Sequence, residues 1–185
     1  DVLRLDYGFE IYSLLIKWNP LKSSGYLPKK LNNKKVLVVG TGPAGFTLSH
    51  YLVNEGFTVV AIDGLKIEPI QNKFSSITQG GHRRKIRPIK NISDIEESLG
   101  QRKAYGFGGV MEYGITVRWN KNYLTILRLL LERRKNFRLY GSVRFGSSID
   151  YKSAQDIGFN HVALAVGAGK PNIPNIPNIL YKGIK

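Results

Sequence analysis

The stretch VLVVGTGPAGFTLSHYL, residues 36–52, decides the fold. A short run of Val and Leu is followed by a G-x-G-x-x-G turn at Gly40, Gly42 and Gly45, and then by apolar residues at helical spacing. The apolar run reads as a buried strand over 35–39, and the residues after the turn read as a helix. Gly40 permits a tight turn off the strand. Gly42 lets the backbone approach a pyrophosphate with no Cβ in the way, and Gly45 lets the helix pack closely on the sheet. Pro43 suits the first helical turn, where its missing N–H costs nothing. The free N–H groups of the helix start present partial positive charge to an anion, which makes Pro43 and Ala44 candidate cofactor contacts. The spacing puts Ala44, Leu48, Tyr51 and Leu52 on one face, expected to be the buried one.

Working outward, Gly56 closes the helix, and TVVAID, residues 58–63, reads as a second strand. Asp63 stands at its end, with seventeen residues between it and Gly45, close to the spacing of about 20 expected for the acid that accepts hydrogen bonds from ribose hydroxyls. A second anion would be disfavoured beside it, which argues against a 2′-phosphate. A lone glycine turn is weak evidence. The strand before it, the helix after it and the acid in register favour nucleotide binding over that plain reading.

On the N-terminal side, Leu3, Tyr7, Ile11, Leu14, Leu15 and Trp18 recur at three- and four-residue steps, predicting an amphipathic helix over 2–18 that stops at Asn19-Pro20. A polar linker leads from it to the first strand. On the C-terminal side, residues 66–104 are turn-rich and strongly basic, an inserted loop or arm within which only NISDIEESLG looks helical, with Ser93 as cap and Glu96 three residues on. NYLTILRLLLERRKNF predicts a helix with Tyr123, Ile126, Leu127, Leu130 and Leu131 inward. Short strands are expected at 137–140 and 143–145, and HVALAV, 161–166, as a buried parallel strand.

Composition narrows the function. The chain has 185 residues, 42% hydrophobic and 22% charged, enough for one ordinary domain with a sizeable core and too short for two full nucleotide domains. With 28 Lys and Arg against 13 Asp and Glu, the net charge of +15 favours anionic partners. There is no Cys, which excludes disulfides, thiolate metal sites and a redox C-x-x-C from this stretch, so electron chemistry falls to an organic cofactor. No apolar run approaches the ~20 residues that span a bilayer, and the charged N-terminal stretch is unlike a secretory signal. A cytoplasmic location is expected, and an opening Asp1 in place of Met reads as a chain cut from something longer.

Arg83, Arg84, Lys85, Arg87 and Lys90 form a basic run without interleaved aromatics, read as a solvated loop in preference to a nucleic-acid surface. His50, His82 and His161 lack metal-ligand spacing, and Asp94, Glu96 and Glu97 read as a helix start. No general acid, general base or metal ligand is nominated.

Four segments in order resemble the small, flavin-carrying subunit of glutamate synthase and related pyridine-nucleotide-dependent flavoprotein oxidoreductases. They are KKVLVVGTGPAGFTLSHYLVNEGFTVVAID, then GGVMEYGI (108–115), then NFRLYGSVRFGSSI, then ALAVGAGKPNIPNIPN. The first is similar to that family's FAD-binding β-α-β unit, with Asp63 in place of the usual Glu. The second resembles the glycine-rich loop that lies against the flavin, which implicates Gly108, Gly109, Val110, Tyr113 and Gly114. The third places Val143 where a Val meets the adenine through its backbone. The fourth resembles a strand turn that implicates Ala165 and Gly167, with Val166 where the family usually has Thr.

The resemblance implies an α/β, Rossmann-like FAD-binding domain with a central parallel sheet over 34–171, interrupted by the basic insertion. An N-terminal helix and linker precede it over 1–33, and 172–185 forms a linker toward a missing NAD(P)H domain. It implies FAD as cofactor, NAD(P)H only through that missing domain, and hydride transfer to the flavin with electrons passing onward. A separately encoded remaining half or a larger synthase subunit would be the partner, with no membrane or nucleic acid involved. Two alternatives stand beside this reading: a non-catalytic remnant or binding module whose basic arm engages an acidic partner, and a simple NAD-binding dehydrogenase domain.

Overall fold

The computed structural model describes residues 2–18, 27–78, 81–98, 120–167, 175–178 and 182. At its centre are four strands, β1 (Lys35–Val39), β2 (Thr58–Ile62), β3 (Phe137–Tyr140) and β4 (His161–Leu164), in the order β3-β2-β1-β4. All the pairings are parallel, with Val38 beside Ala61 and Ala163, and Ala61 beside Leu139. An all-parallel sheet must be covered on both faces. One face carries Val36, Val38, Val59 and Ala61 into a core with Phe46 and Val53 of α2 (Pro43–Asn54) and Leu124 and Leu131 of α4 (Asn122–Glu132). The opposite face sends Leu37, Val39 and Ile62 against Ala154 of α5 (Tyr151–Asp156). The α/β class and the parallel sheet are as the sequence predicts.

The helix faces are not all as expected. On α2 the buried residues are Gly45, Phe46, Ser49 and Val53, while Ala44, Leu48 and Tyr51 face outward. Gly45 meets the Gly40 carbonyl, and that contact turns Phe46 and Val53 into the core and leaves Leu48 and Tyr51 outside. The N-terminal helix α1 covers only Gly8–Lys17, after a 3-10 turn at Val2–Arg4 and a left-handed Tyr7 at φ 58°. Its buried side is Phe9 with Tyr12 packed beside it, so that Tyr7, Ile11, Leu14, Leu15 and Trp18 are exposed and only Leu3 of the expected set packs inward. In α4, Ile126 and Leu131 are buried as expected, but Leu124 and Leu129 join them, and Tyr123 is exposed.

The basic insertion is no free arm. Phe74 of α3 (Asn72–Ser75) and Ile89, Ile92 and Ile95 form a second core with Phe9, Ile126 and Leu129. Arg83 reaches back to donate to the carbonyls of Glu132, Arg134 and Phe137, at 3.2 and 3.1 Å for the first and last. Arg84, Lys85, Arg87 and Lys90 remain at the surface. The expected helix after Asn91 is a single 3-10 turn, Ile92–Asp94, capped by the Asn91 side chain rather than by Ser93. Residues 143–145 make no strand; Phe145 forms an isolated bridge to Ile149. The helix α5, capped by Asp150 on the Ser153 N–H at 2.7 Å, has no counterpart in the sequence expectation. The strand β4 is parallel as predicted but half open, with Val162 and Ala163 partly buried and Leu164 exposed.

Arg133 joins the N-terminal helix, the insertion and α4. Its Nη1 donates to both Glu10 oxygens at 2.9 and 3.0 Å, its Nε to the Phe74 carbonyl at 2.8 Å, and its guanidinium lies 4.9 Å from the Phe9 ring centroid. Glu10 in turn accepts from the Ile89 N–H at 2.8 Å. Beside this joint, Arg134 donates to Asn54 Oδ1 at 2.9 Å, and Asn54 Nδ2 lies 3.2 Å from His50 Nε2. Burial, and then the nearby Arg134 charge, hold the His50 imidazole below its ordinary range and the Lys17 amine below its own. Among the described residues no helix is long and apolar enough to cross a membrane.

Two outcomes follow from this packing. Arg133→Ala strands the Glu10 carboxylate and the Phe74 carbonyl together, and should lower stability in urea unfolding by about 3 kcal/mol, as for breaking a buried pair. Between the depressed folded value of His50 and its unfolded value of about 6.5, the unfolded chain binds the extra proton. Stability should therefore fall as pH drops through that window, and His50→Gln should flatten this part of the pH profile of the urea midpoint.

Candidate nucleotide site

The strand order reverses between β1 and β4. In open parallel sheets, ligands bind outside the carboxyl ends of the strands at such a switch point. Here the turn after β1 carries Gly40 and Gly42, and the turn after β4 carries Ala165 and Gly167. The two turns are tied by the Ala165 N–H, which donates to the Val39 carbonyl at 2.8 Å.

Gly40 adopts φ 102°, a left-handed conformation that a side chain resists, and a Cβ there would stand 2.3 Å from the Ala165 carbonyl oxygen. A Cβ on Gly45 would stand 1.9 Å from the Gly40 carbonyl oxygen and 3.6 Å from the Ala165 Cβ. Gly40, Gly45 and Ala165 thus close on one another, and this contact sets the distance between α2 and the sheet. Gly42 is different: a Cβ there would meet nothing within 4 Å. The packing of the protein does not require this glycine, and the space beside it is open. It is the N-cap of α2, with extended backbone and no side-chain cap, and Pro43 follows at the first helical position. A helix start without a side-chain acceptor leaves its first N–H groups for an anion. The cradle fits a diphosphate.

Asp63 lies just past β2 and is 9% exposed. Its Oδ2 accepts from the Thr41 N–H at 2.9 Å and the Thr41 hydroxyl at 2.6 Å, and its Oδ1 accepts from the Leu65 N–H at 2.9 Å. The expected acid therefore sits beside the glycine turn with its carboxylate bonded inward. Val143 is brought next to it, donating its N–H to the Asp63 carbonyl at 2.9 Å, so any adenine contact through this backbone falls to the Val143 carbonyl. Pairing of 63–65 with 140–143 continues through Asp63 N–H to Tyr140 and Ser142 N–H to Leu65, at 3.0 and 2.8 Å, which is why the chain bends here instead of forming a separate strand at 143–145.

The structure thus gathers Gly40, Gly42, Pro43, Ala44, Gly45, Asp63, Val143, Ala165 and Gly167 around the carboxyl ends of the central strands. Gly108, Gly109, Val110, Tyr113 and Gly114 lie outside the described residues. Two residues escaped sequence reasoning. Thr41, 1% exposed, occupies a variable position of the glycine pattern, and only its hydroxyl hinted at a role. Arg144 reaches across Gly64, its Nε 3.6 Å from where a Gly64 Cβ would stand, and nothing in the linear pattern pairs those positions. Among the described residues no three His, Asp or Glu side chains gather as a metal site.

The glycines should separate by substitution. Gly45→Ala forces backbone apart and should cost at least about 2 kcal/mol in urea unfolding, whereas Gly42→Ala should stay within about 1 kcal/mol of the native chain.

Residues 34–185, which include all four strands, match the pyridine nucleotide-disulphide oxidoreductase family. An uncharacterized protein of Rickettsia prowazekii (strain Madrid E) is 48% identical over 185 residues, which make up 100% of this chain and 25% of that relative. The chain thus spans about a quarter of the length of the curated relative it matches. With the family matched over most of the chain, and a glycine turn seated at the switch point of a parallel sheet, the chain belongs to the pyridine nucleotide-disulphide oxidoreductase family.

Proposed function

We propose that this chain is the FAD-binding part of an NAD(P)H-dependent flavoprotein oxidoreductase of the glutamate synthase small-subunit type. The observation that carries the reading is the open space at Gly42, on an uncapped helix start facing the switch point. Gly40, Gly42, Pro43, Ala44 and Gly45 would hold the diphosphate, Asp63 and Val143 would border the adenosine, and Ala165 and Gly167 would close the crevice from β4. FAD is preferred over NAD because of the resemblance of 108–115 to a flavin-facing loop, with Gly108, Gly109, Val110, Tyr113 and Gly114 as its contacts.

When bound, FAD would supply the chemistry, accepting a hydride from a reduced nicotinamide and releasing electrons onward. The protein's own part is binding and orientation. No thiol of this stretch can share the redox work, since the chain has no Cys, so the disulphide chemistry in the family's name has no residues here. In this reading 34–171 forms the flavin domain, 1–33 precedes it, and 172–185 leads toward a nicotinamide domain. The site for NAD(P)H and the electron acceptor belong to a remaining half or a larger synthase subunit.

A second reading has its own support: Arg83 anchors the insertion, while Arg84, Lys85 and Arg87 stay at the surface. A binding module using that face would engage an acidic partner.

Purified chain titrated with FAD should take up the flavin with a perturbed visible spectrum. Gly42→Ala should weaken uptake by about tenfold or more, at unchanged stability. NADPH or NADH should not drive dye reduction by the chain alone. Uptake of NAD in place of FAD would sink the flavin reading in favour of a dehydrogenase domain, and uptake of neither would leave the binding module.

A further inference from the structure

The N-terminal helix α1 is apolar on two sides. Phe9, 1% exposed, and Tyr12 pack into the second core. On the opposite side Ile11, Leu14, Leu15 and Trp18 meet water, at 44, 56, 44 and 43% exposure. Their spacing is i, i+3, i+4 and i+7, an arc of about 100° on an α-helix. The cores of the domain leave this stripe out, and apolar side chains gathered in one exposed patch mark a binding surface.

The chemistry along its border says what the stripe meets. Residues 87–90 of the basic insertion run beside the start of α1. There the Tyr7 N–H donates to the Lys90 carbonyl at 2.7 Å, the Ile89 N–H to Glu10 at 2.8 Å, and Arg133 to the Arg87 carbonyl at 3.3 Å. Arg84, Lys85, Arg87 and Lys90 are exposed on this segment. Lys17, also exposed, stands on the Glu10 side of the helix, about two turns on. The acids of the border are already answered: Glu10 by Arg133 at 2.9 Å, Asp6 by Lys90 at 3.8 Å and Glu96 by Arg4 at 3.7 Å. Lys17, Arg84, Lys85 and Arg87 thus leave a cationic margin beside a convex apolar ridge. A second copy of the chain would bring two such margins together, which like charges oppose. A partner's helix docks into a groove, and α1 offers a ridge. A lipid surface closes around a ridge and supplies phosphates beside it.

We propose that α1 seats the chain on an anionic lipid surface. Ile11, Leu14, Leu15 and Trp18 enter the boundary between headgroups and acyl chains, where an indole is well suited, and Lys17, Arg84, Lys85 and Arg87 meet lipid phosphates. The helix lies in the interface and does not cross it: its 10 residues rise about 15 Å against a hydrocarbon core of about 30 Å. The proposal stands apart from the nucleotide site. It takes the surface cations of the binding-module reading and gives them lipid phosphate in place of an acidic protein.

The test floats the full chain with vesicles of phosphatidylcholine alone and of phosphatidylcholine mixed equally with phosphatidylglycerol. Only the anionic vesicles should carry the native chain, less so at high salt. Tryptophan emission should shift to the blue on binding, and Trp18→Phe should remove most of that shift. Leu14→Ser combined with Leu15→Ser should weaken binding by about tenfold or more, and Lys85→Gln combined with Arg87→Gln by a similar factor. All four positions are exposed, so the urea midpoint should not move; Ile11→Ser repeats the test if the leucine pair disturbs folding. Adsorption by charge alone, in which the leucine pair binds as well as the native chain, overturns the proposal. Absence of vesicle binding overturns it, and binding to polyglutamate in that case gives the cations to an acidic protein. Self-association of the native chain that the leucine pair abolishes overturns it in favour of a second copy.

Discussion

The oxygen shared by the Thr41 N–H and hydroxyl on Asp63 ties the end of β2 to the turn after β1. That tie holds the glycine turn against the end of the neighbouring strand. It fixes the peptide between Gly40 and Gly42. Gly40 in turn must meet Ala165 and Gly45 at distances that no Cβ would survive. Two strand ends and one helix start are thereby brought to a single point, with Gly42 as the one glycine of the pattern that the protein's packing does not itself require. In the proposed reading the turn divides its work: two glycines pack, and one stays open to a phosphate.

Around this centre the chain builds two cores of different origin. The first belongs to the sheet and follows from the β-α-β pattern. The second joins Phe9, Phe74, Ile89, Ile92, Ile95, Ile126 and Leu129 from three separated parts of the chain. Its polar counterpart is Arg133, which satisfies a carboxylate from α1 and a carbonyl from the insertion at once. Such a network rigidifies only when all its members are satisfied, which explains why an insertion read as a basic arm folds back as part of the body.

The strands and the glycine turn were legible because their signals are local: a run of β-branched residues, three glycines at fixed spacing and an acid one strand later. The helix faces were less so. On α2 the periodicity of Ala44, Leu48 and Tyr51 was real, but the approach of Gly45 to the Gly40 carbonyl turns Phe46 and Val53 to the sheet, a contact that cannot be seen in an apolar pattern. On α1 the apolar residues outnumber what one face can bury, and the Glu10–Arg133 bond, across 123 positions, selects Phe9. Thr41 and Arg144 escaped for the same reason: each acts through a partner distant in sequence.

Charge makes the same point. A net +15 reads from composition as a surface looking for anions, yet several of the arginines are working inside the fold. Arg128 is buried against Glu132, with Nε to Oε1 at 2.6 Å, and also donates to the Glu68 carbonyl. Arg83 serves three carbonyls at the end of α4 and the start of β3. Arg134 holds Asn54 at the end of α2. Guanidinium groups suit this because five donors in a rigid fork can satisfy several carbonyls at once. The carbonyls left unpaired at helix ends are where such donors are needed. The cations that remain for an external anion are therefore fewer than the formal charge implies, and a phosphate at the glycine turn would be drawn chiefly by oriented N–H groups rather than by the excess of basic side chains.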